Sequence, residues 1–337
     1  MALELDLLDQ RLLNAAQRAF PLCRRPWQAL GGPLGLDEDE VLARFSRLRT
    51  GRVLRQISAI FDSKALGYYS ALVAAQAPPG GIEAAAAIVS AHAGVSHNYQ
   101  REHRFDLWFT LAVPCRRDLK AEADRLGQRA GLLEWHLMPA LQTFRIGVAF
   151  DLEKSQAGAL SAAPQPSRRA LAQFPGPSDE RAVRVMQEDL ALIAEPFGPL
   201  AKALGWSQEE LFDWMAEAGR HGWLRRYAAV LRHREAGFGE GGMGVWSVPP
   251  EQVQAVGRAF AQDPLVTHCY ERPSFDGWPY NLFTMVHGKE RADCQAALEA
   301  LDQRVPGWKL RSLLFSTREF KKERVRYFLE DARAATH

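Results

Sequence analysis

Val95-Ser96-His97-Asn98-Tyr99-Gln100-Arg101 returns later in the chain as Val266-Thr267-His268-Cys269-Tyr270-Glu271-Arg272. Working outward, Asp106-Leu107-Trp108-Phe109-Thr110-Leu111 is matched by Asn281-Leu282-Phe283-Thr284-Met285, with a longer insertion, Pro273 to Pro279, in the second copy. Upstream, Leu54-Arg55-Gln56-Ile57 aligns with Leu224-Arg225-Arg226-Tyr227, and Leu34-Gly35-Leu36-Asp37 with Leu204-Gly205-Trp206-Ser207. The anchors keep their order with small gaps, so the chain is an internal duplication. Between the copies, Glu153 to Asp179 carries Pro164, Pro166, Pro175, Gly176 and Pro177 with little apolar periodicity, and reads as a linker.

Each copy divides in two. Leu5 to Phe20 has helical apolar spacing, Asp37-Glu38-Asp39-Glu40 opens a second amphipathic helix, and Val53 to Phe61 reads as strand. The second copy repeats this with a helix from Asp189 to Leu204, a capping box at Ser207 and Glu210, and a strand from Leu224. Helices followed by a β-ribbon describe a winged helix-turn-helix. The remainder of each copy reads strand, helix, strand, strand, helix, strand, the ferredoxin-like βαββαβ order. In the first copy the closing strand is expected at Ala140 to Phe150. The expected class is therefore α+β. Winged helix-turn-helix units span 1–62 and 180–233, ferredoxin-like domains span 63–152 and 234–330, and the linker spans 153–179.

The chain has 337 residues, 47% of them hydrophobic, enough for a core in each domain. A formal charge of +2 gives no global field favouring nucleic acid or an anionic membrane. No apolar run approaches the length of a membrane span, and Met1 to Leu13 lacks the pattern of a secretory signal. Cys23, Cys115, Cys269 and Cys294 are scattered and form no CxxC, so neither a disulfide framework nor a metal site is expected. A reduced, cytoplasmic protein is the expectation.

The order winged helix-turn-helix then βαββαβ resembles the Lrp/AsnC regulators. The paired hairpins, with Ile60-Phe61-Asp62-Ser63-Lys64-Ala65-Leu66-Gly67-Tyr68 and the run Arg225 to Arg234, resemble more specifically the siroheme decarboxylases of haem d1 biosynthesis. The resemblance covers essentially the whole chain. It looks like a fusion, of the NirD–NirL type, of two paralogous subunits that are separate chains in relatives. It implies siroheme as substrate and 12,18-didecarboxysiroheme as product, formed by loss of carbon dioxide from two acetate side chains. It implies no separate cofactor, the iron being carried by the substrate. It also implies an intramolecular pseudo-dimer packed through the βαββαβ sheets.

The alternative is a DNA-binding regulator or haem sensor. A helix-turn-helix reads DNA with the start of its second helix. Here those starts hold Asp37, Glu38, Asp39 and Glu40, and Glu209 and Glu210. Carboxylates there oppose phosphate contact, which dominates DNA affinity, so DNA binding is not expected.

A substrate with many carboxylates calls for arginine, whose planar fork binds them bidentately. Candidates are Arg55, Arg101, Arg225, Arg226 and Arg272, with His233 as a further substrate contact or iron ligand. Residues two apart on a strand share a face, so His97, Tyr99 and Arg101 point together, as do His268, Tyr270 and Arg272. His97 and His268 are the expected proton donors, Tyr99 and Tyr270 orienting groups. Trp108 reads as core. The run Gly237 to Gly244 lacks the lysine of a phosphate loop and reads as a flexible hairpin connection. The basic tail Arg318 to Arg326 reads as a solvated face, with a hold on substrate carboxylates as the alternative.

Overall fold

The computed structural model describes residues 3–146, 174–231, 240–288 and 290–329. The first copy opens with α1 (Leu7–Arg18), α2 (Pro26–Gly31) and α3 (Glu38–Thr50). The second opens with α6 (Pro177–Met186), α7 (Phe197–Leu204) and α8 (Gln208–Arg220), following β1 to β6 and α4 to α5 of the first copy. Those are β1 (Leu54–Phe61), β2 (Tyr68–Gln76), α4 (Ile82–Ala91), β3 (Val95–Arg101), β4 (Leu107–Pro114), α5 (Leu119–Arg129), β5 (Glu134–Pro139) and β6 (Gln142–Ile146). The second copy continues with β7 (Leu224–Leu231), β8 (Glu240–Ser247), α9 (Val253–Gln262), β9 (Val266–Glu271), β10 (Leu282–Gly288), α10 (Arg291–Arg304) and β11 (Leu310–Lys322). The α+β class and the tandem arrangement are as read from the repeat.

Local chemistry explains the helix starts. Asp37 accepts from the Glu40 N–H at the head of α3, and Ser207 from the Glu210 N–H at the head of α8. The Leu-Gly anchors of the repeat mark turns into these helices, where Gly35 (φ 71) and Gly205 (φ 76) take a left-handed conformation. The helix expected from Asp189 to Leu204 is shorter. It starts at Phe197, because Asp189 and Leu190 turn instead onto β1, where Ile57 N–H donates to Asp189 Oδ1 and Leu190 N–H to the Ile57 carbonyl. Helix α6 starts at Pro177, inside the stretch read as linker, with proline at the first turn where its missing N–H costs nothing.

The β-ribbon of each copy is not formed within that copy. β1 pairs antiparallel with β7 of the other half, Ile57 opposite Ala229 and Ala59 opposite Tyr227. All six opening helices pack around this shared ribbon in one core built on Trp27, Phe45, Phe197 and Tyr227.

The sheets are joined the same way. The described strands of the large sheet run β5-β2-β4-β3-β11-β8-β10-β9-β6. β11 pairs first with β8 of its own copy, then from Ser316 to Lys322 with β3 of the other. In the first copy the strand expected at Ala140 to Phe150 differs. β5, at Glu134–Pro139, closes the home sheet against β2, and β6 crosses to β9. Residues beyond 146 lie outside the described residues. Each closing strand therefore serves both halves. Each also delivers a cation to a helix C-terminus of the other half, where the dipole favours it. Arg145 donates to the carbonyls of Ala261 and Asp263 at the end of α9, and Lys321 to those of Ser90 and His92 at the end of α4.

Helices α4 and α5 cover the outer face of the first sheet, α9 and α10 that of the second. The inner faces meet in a core of Phe105, Trp108, Met138, Met243, Val245, Trp278, Phe283 and Leu314. Trp108 is core, as read. The glycine run is partly strand: from Glu240 it forms β8, where a Cβ at Gly242 would meet Leu313 at 2.7 Å and one at Gly244 would meet Thr284 at 2.6 Å. No helix among the described residues is long and apolar enough to cross a membrane.

Candidate active site

Strand alternation places the two triplets. Asn98 faces α4, donating to the Ala86 carbonyl, and Cys269 faces α9 at the Gly257 carbonyl. His97, Tyr99 and Arg101, and His268, Tyr270 and Arg272, consequently share the opposite, inner faces. The geometry repeats. His97 lies 6.1 Å from Tyr99 and His268 6.1 Å from Tyr270, ring to ring. Arg101 sits 5.9 Å over Tyr99, Arg272 5.0 Å over Tyr270. The inner aromatic core closes one end of this layer. The helix-turn-helix ribbon closes the other.

Each arginine of the triplets crosses to the other half. Arg101 Nη1 donates to the Leu314 carbonyl at 2.8 Å, Arg272 Nη1 to the Met138 carbonyl at 2.5 Å. In both, Nε is buried without a hydrogen-bond partner. Burial pushes both guanidinium groups down to about 10. Arginine is rarely buried without a carboxylate, and these two keep unused donor capacity.

The histidines are held neutral. Burial, and then Lys322 and Arg55, push His97 down to about 4. Burial, and then His287, His97 and Arg145, do the same to His268. His287 is pushed down to about 4 by burial and Lys322. The two repeat histidines lie within electrostatic reach of each other. The third belongs to one half only: Leu107 and Leu282 are equivalent strand starts, so His287 occupies the place that Ala112 holds in the first copy. Thr267 Oγ1 joins the pair, 3.1 Å from His268 Nδ1 and 3.1 Å from His287 Nε2. In the first half Ser96 Oγ lies 2.9 Å from His97 Nδ1.

The ribbon supplies cations asymmetrically. Arg225 is exposed and bonded to Asp62 across the ribbon at 2.5 and 2.9 Å, so that carboxylate already occupies it. Arg55, at the equivalent repeat position, is half-buried beside His97. Arg226 is half-buried too, its pKa lowered by burial and by Arg225. Arg324 joins them from the tail. It donates to Ser58 Oγ and the Ala59 carbonyl, and burial with Arg55 and Arg226 nearby pushes it down to about 10. Among the described residues, no carboxylate pairs with Arg55, Arg226 or Arg324.

The solvated-face reading of the tail suits Arg318 and Arg326, which pair with Glu83 and Glu188 at the surface. It does not suit Lys322, opposite His97, or Arg324. Sequence reading passed over His287 and Thr267; setting β10 against β4 residue by residue would have shown a histidine where the other copy has alanine. His233 lies outside the described residues. No cluster of His, Cys, Asp and Glu suited to a metal ion occurs among the described residues.

Helix-turn-helix units joined to two inward-facing ligand-binding sheets define the class. Residues 65–145 and 235–321 match the AsnC-like ligand binding domain. Residues 9–55 and 179–225 match the siroheme decarboxylase NirDL-like HTH domain. The chain is similar to the siroheme decarboxylase of Hydrogenobacter thermophilus, 36% identical over 325 residues and 95% of each chain. The beta subunit of siroheme decarboxylase from Methanosarcina barkeri is 40% identical over 149 residues, 44% of this chain and 97% of that subunit. The crystal structure of a siroheme decarboxylase NirDL in co-complex with an iron-uroporphyrin III analogue superposes with a TM-score of 0.73 at 31% identity, covering 96% of this chain and 95% of that one. The chain belongs to the siroheme decarboxylase family, in the fused form that joins two paralogous halves.

Proposed function

We propose that this chain converts siroheme to 12,18-didecarboxysiroheme in haem d1 biosynthesis, within the cytoplasm and without a separate cofactor. The observation that carries the reading is the convergence of Arg55, Arg226 and Arg324, with no carboxylate partner among the described residues, close to His97. Clustered, partly desolvated like charges are costly unless an anion joins them. A tetrapyrrole rimmed with carboxylates is such an anion. Arg101 and Arg272, with their unused Nε donors, anchor it from the sheets. Arg225 contributes field rather than direct contact while Asp62 holds it. Tyr99 and Tyr270, each between an imidazole and a guanidinium, orient the macrocycle.

In each step the bond between the acetate methylene carbon and its carboxylate breaks. Carbon dioxide leaves, and the electron pair stays on the methylene carbon, delocalised into the macrocycle. One proton then converts the methylene to methyl. Neutral histidines cannot donate that proton, but carboxylates brought beside them favour the imidazolium form. The substrate thus loads its own proton donor within the His97–His268 pair. The regulator alternative has less to stand on: Arg44 is bound by Asp6, Asp9 and Glu40, and Arg47 by Asp9, leaving these helix-turn-helix arginines engaged rather than offered to phosphate.

The test is anaerobic incubation of the protein with siroheme, followed by mass spectrometry of the tetrapyrrole, beside His97→Ala and His268→Ala. Stepwise loss of one and then two carbon dioxides is expected from the unmodified chain, and a strong reduction in each variant. Siroheme returned bound and unchanged would overturn the reading.

A further inference from the structure

The two halves hold their paired histidines differently, and the hydroxyl beside each explains how. A hydroxyl has one proton to give and two lone pairs. Thr267, buried, gives its proton to the Met285 carbonyl at 3.1 Å. It is then only an acceptor toward its other two neighbours, so His268 Nδ1 and His287 Nε2, both at 3.1 Å, must each bring the hydrogen. Ser96 is buried as well, but among the described residues its hydroxyl reaches no acceptor other than His97 Nδ1, at 2.9 Å. A buried hydroxyl left without an acceptor loses a hydrogen bond it had in water. Ser96 therefore donates, and His97 Nδ1 carries the lone pair.

We propose that Thr267 and His287 are positioning residues that fix His268 as its Nδ1–H tautomer, whereas Ser96 fixes His97 as its Nε2–H tautomer. Protonation of His268 then occurs at Nε2 and disturbs no bond: the Nδ1–H keeps its acceptor in both charge states. Protonation of His97 would instead require the Ser96 hydroxyl to turn round. The repeated pair divides the work. His268 takes up a proton on Nε2 and passes it to the methylene carbon as the carbon–carbon bond to carbon dioxide breaks, returning to the neutral Nδ1–H form. His97 presents a neutral Nε2–H that hydrogen-bonds a substrate carboxylate. The catalytic meaning rests on the decarboxylase reading; the tautomers do not.

The experiment is a long-range proton–nitrogen correlation spectrum of the full chain with nitrogen-15 histidine, without tetrapyrrole. His97→Gln and His268→Gln assign the two imidazoles. Opposite tautomers are expected, Nδ1–H for His268 and Nε2–H for His97. Thr267→Val should shift His268 towards Nε2–H and lower kcat on the order of tenfold or more with little change in KM; Thr267→Ser should restore both. His268 found as Nε2–H in the unmodified chain would overturn the proposal, whether or not the valine variant folds. So would a valine variant with unchanged tautomer and kcat. Siroheme left undecarboxylated beside a spectrum showing both tautomers would sink the enzyme reading and leave the assignment standing.

Discussion

Arg225 and Arg55 show how one position in a repeat acquires different duties. Arg225 sits where Arg55 does, yet Asp62 claims it, whereas the adjacent Arg226 has no carboxylate partner among the described residues. Replacing Arg226 or Arg55 with Ala should weaken siroheme binding by about 1.5–3 kcal/mol each, a charge-assisted hydrogen bond apiece, read as KM or by titration of the tetrapyrrole absorbance. Arg225→Ala should change binding much less. The imidazoles make a second prediction. Their folded pKa of about 4 lies below the 6.5 of an unfolded chain. Between those values the unfolded chain binds more protons, so stability is complete above pH 6.5 and falls as pH drops towards 4. The slope is on the order of 1 kcal/mol per pH unit for each imidazole. Thermal melts across that window should show the decline, and replacing His287 with Gln should make it shallower. Much of this scale was legible beforehand: period-two alternation placed His97, Tyr99 and Arg101 on one face. The partners were not, because Asp62 and Arg225 meet through a pairing between halves that no local pattern encodes.

At the scale of elements, the strands that close each sheet carry the architecture. The order of helices and hairpins in the βαββαβ units was readable, because their apolar period is a local property. The closing strands were not. An edge strand alternates in the same way whichever sheet it joins, so β6 read as the end of its own domain rather than as part of the other. β8 explains the glycine run from Glu240 onward. Its glycines are packing positions, where a side chain would meet β10, β11 and α10. Gly244→Val, which would drive a Cβ to 2.6 Å from Thr284 Oγ1 and 3.1 Å from Leu298 Cδ1, should cost about 1–3 kcal/mol in denaturant unfolding. A valine placed at exposed Ser70, on the equivalent strand of the first copy, should cost far less.

For the whole molecule, duplication has become interdependence. The halves share a ribbon, exchange closing strands, and cap one another's helices through Arg145 and Lys321. Cutting the chain between residues 153 and 173 should therefore leave two fragments that elute together on size exclusion and retain decarboxylation. Fragments that separate without denaturant would contradict the shared sheet.

The strand exchange also sets a schedule for synthesis. β3 is made well before the segment that pairs with its free edge, Ser316 to Lys322. At ordinary elongation rates the roughly 200 residues between them take about 10–40 s to make. Throughout that time the first half holds an open sheet edge, a template for pairing with any neighbouring nascent chain on the same message. Slow translation through the second copy, or a shortage of chaperones, should therefore show as mispaired oligomers joined through the first half, before any loss of activity in the molecules that finish correctly.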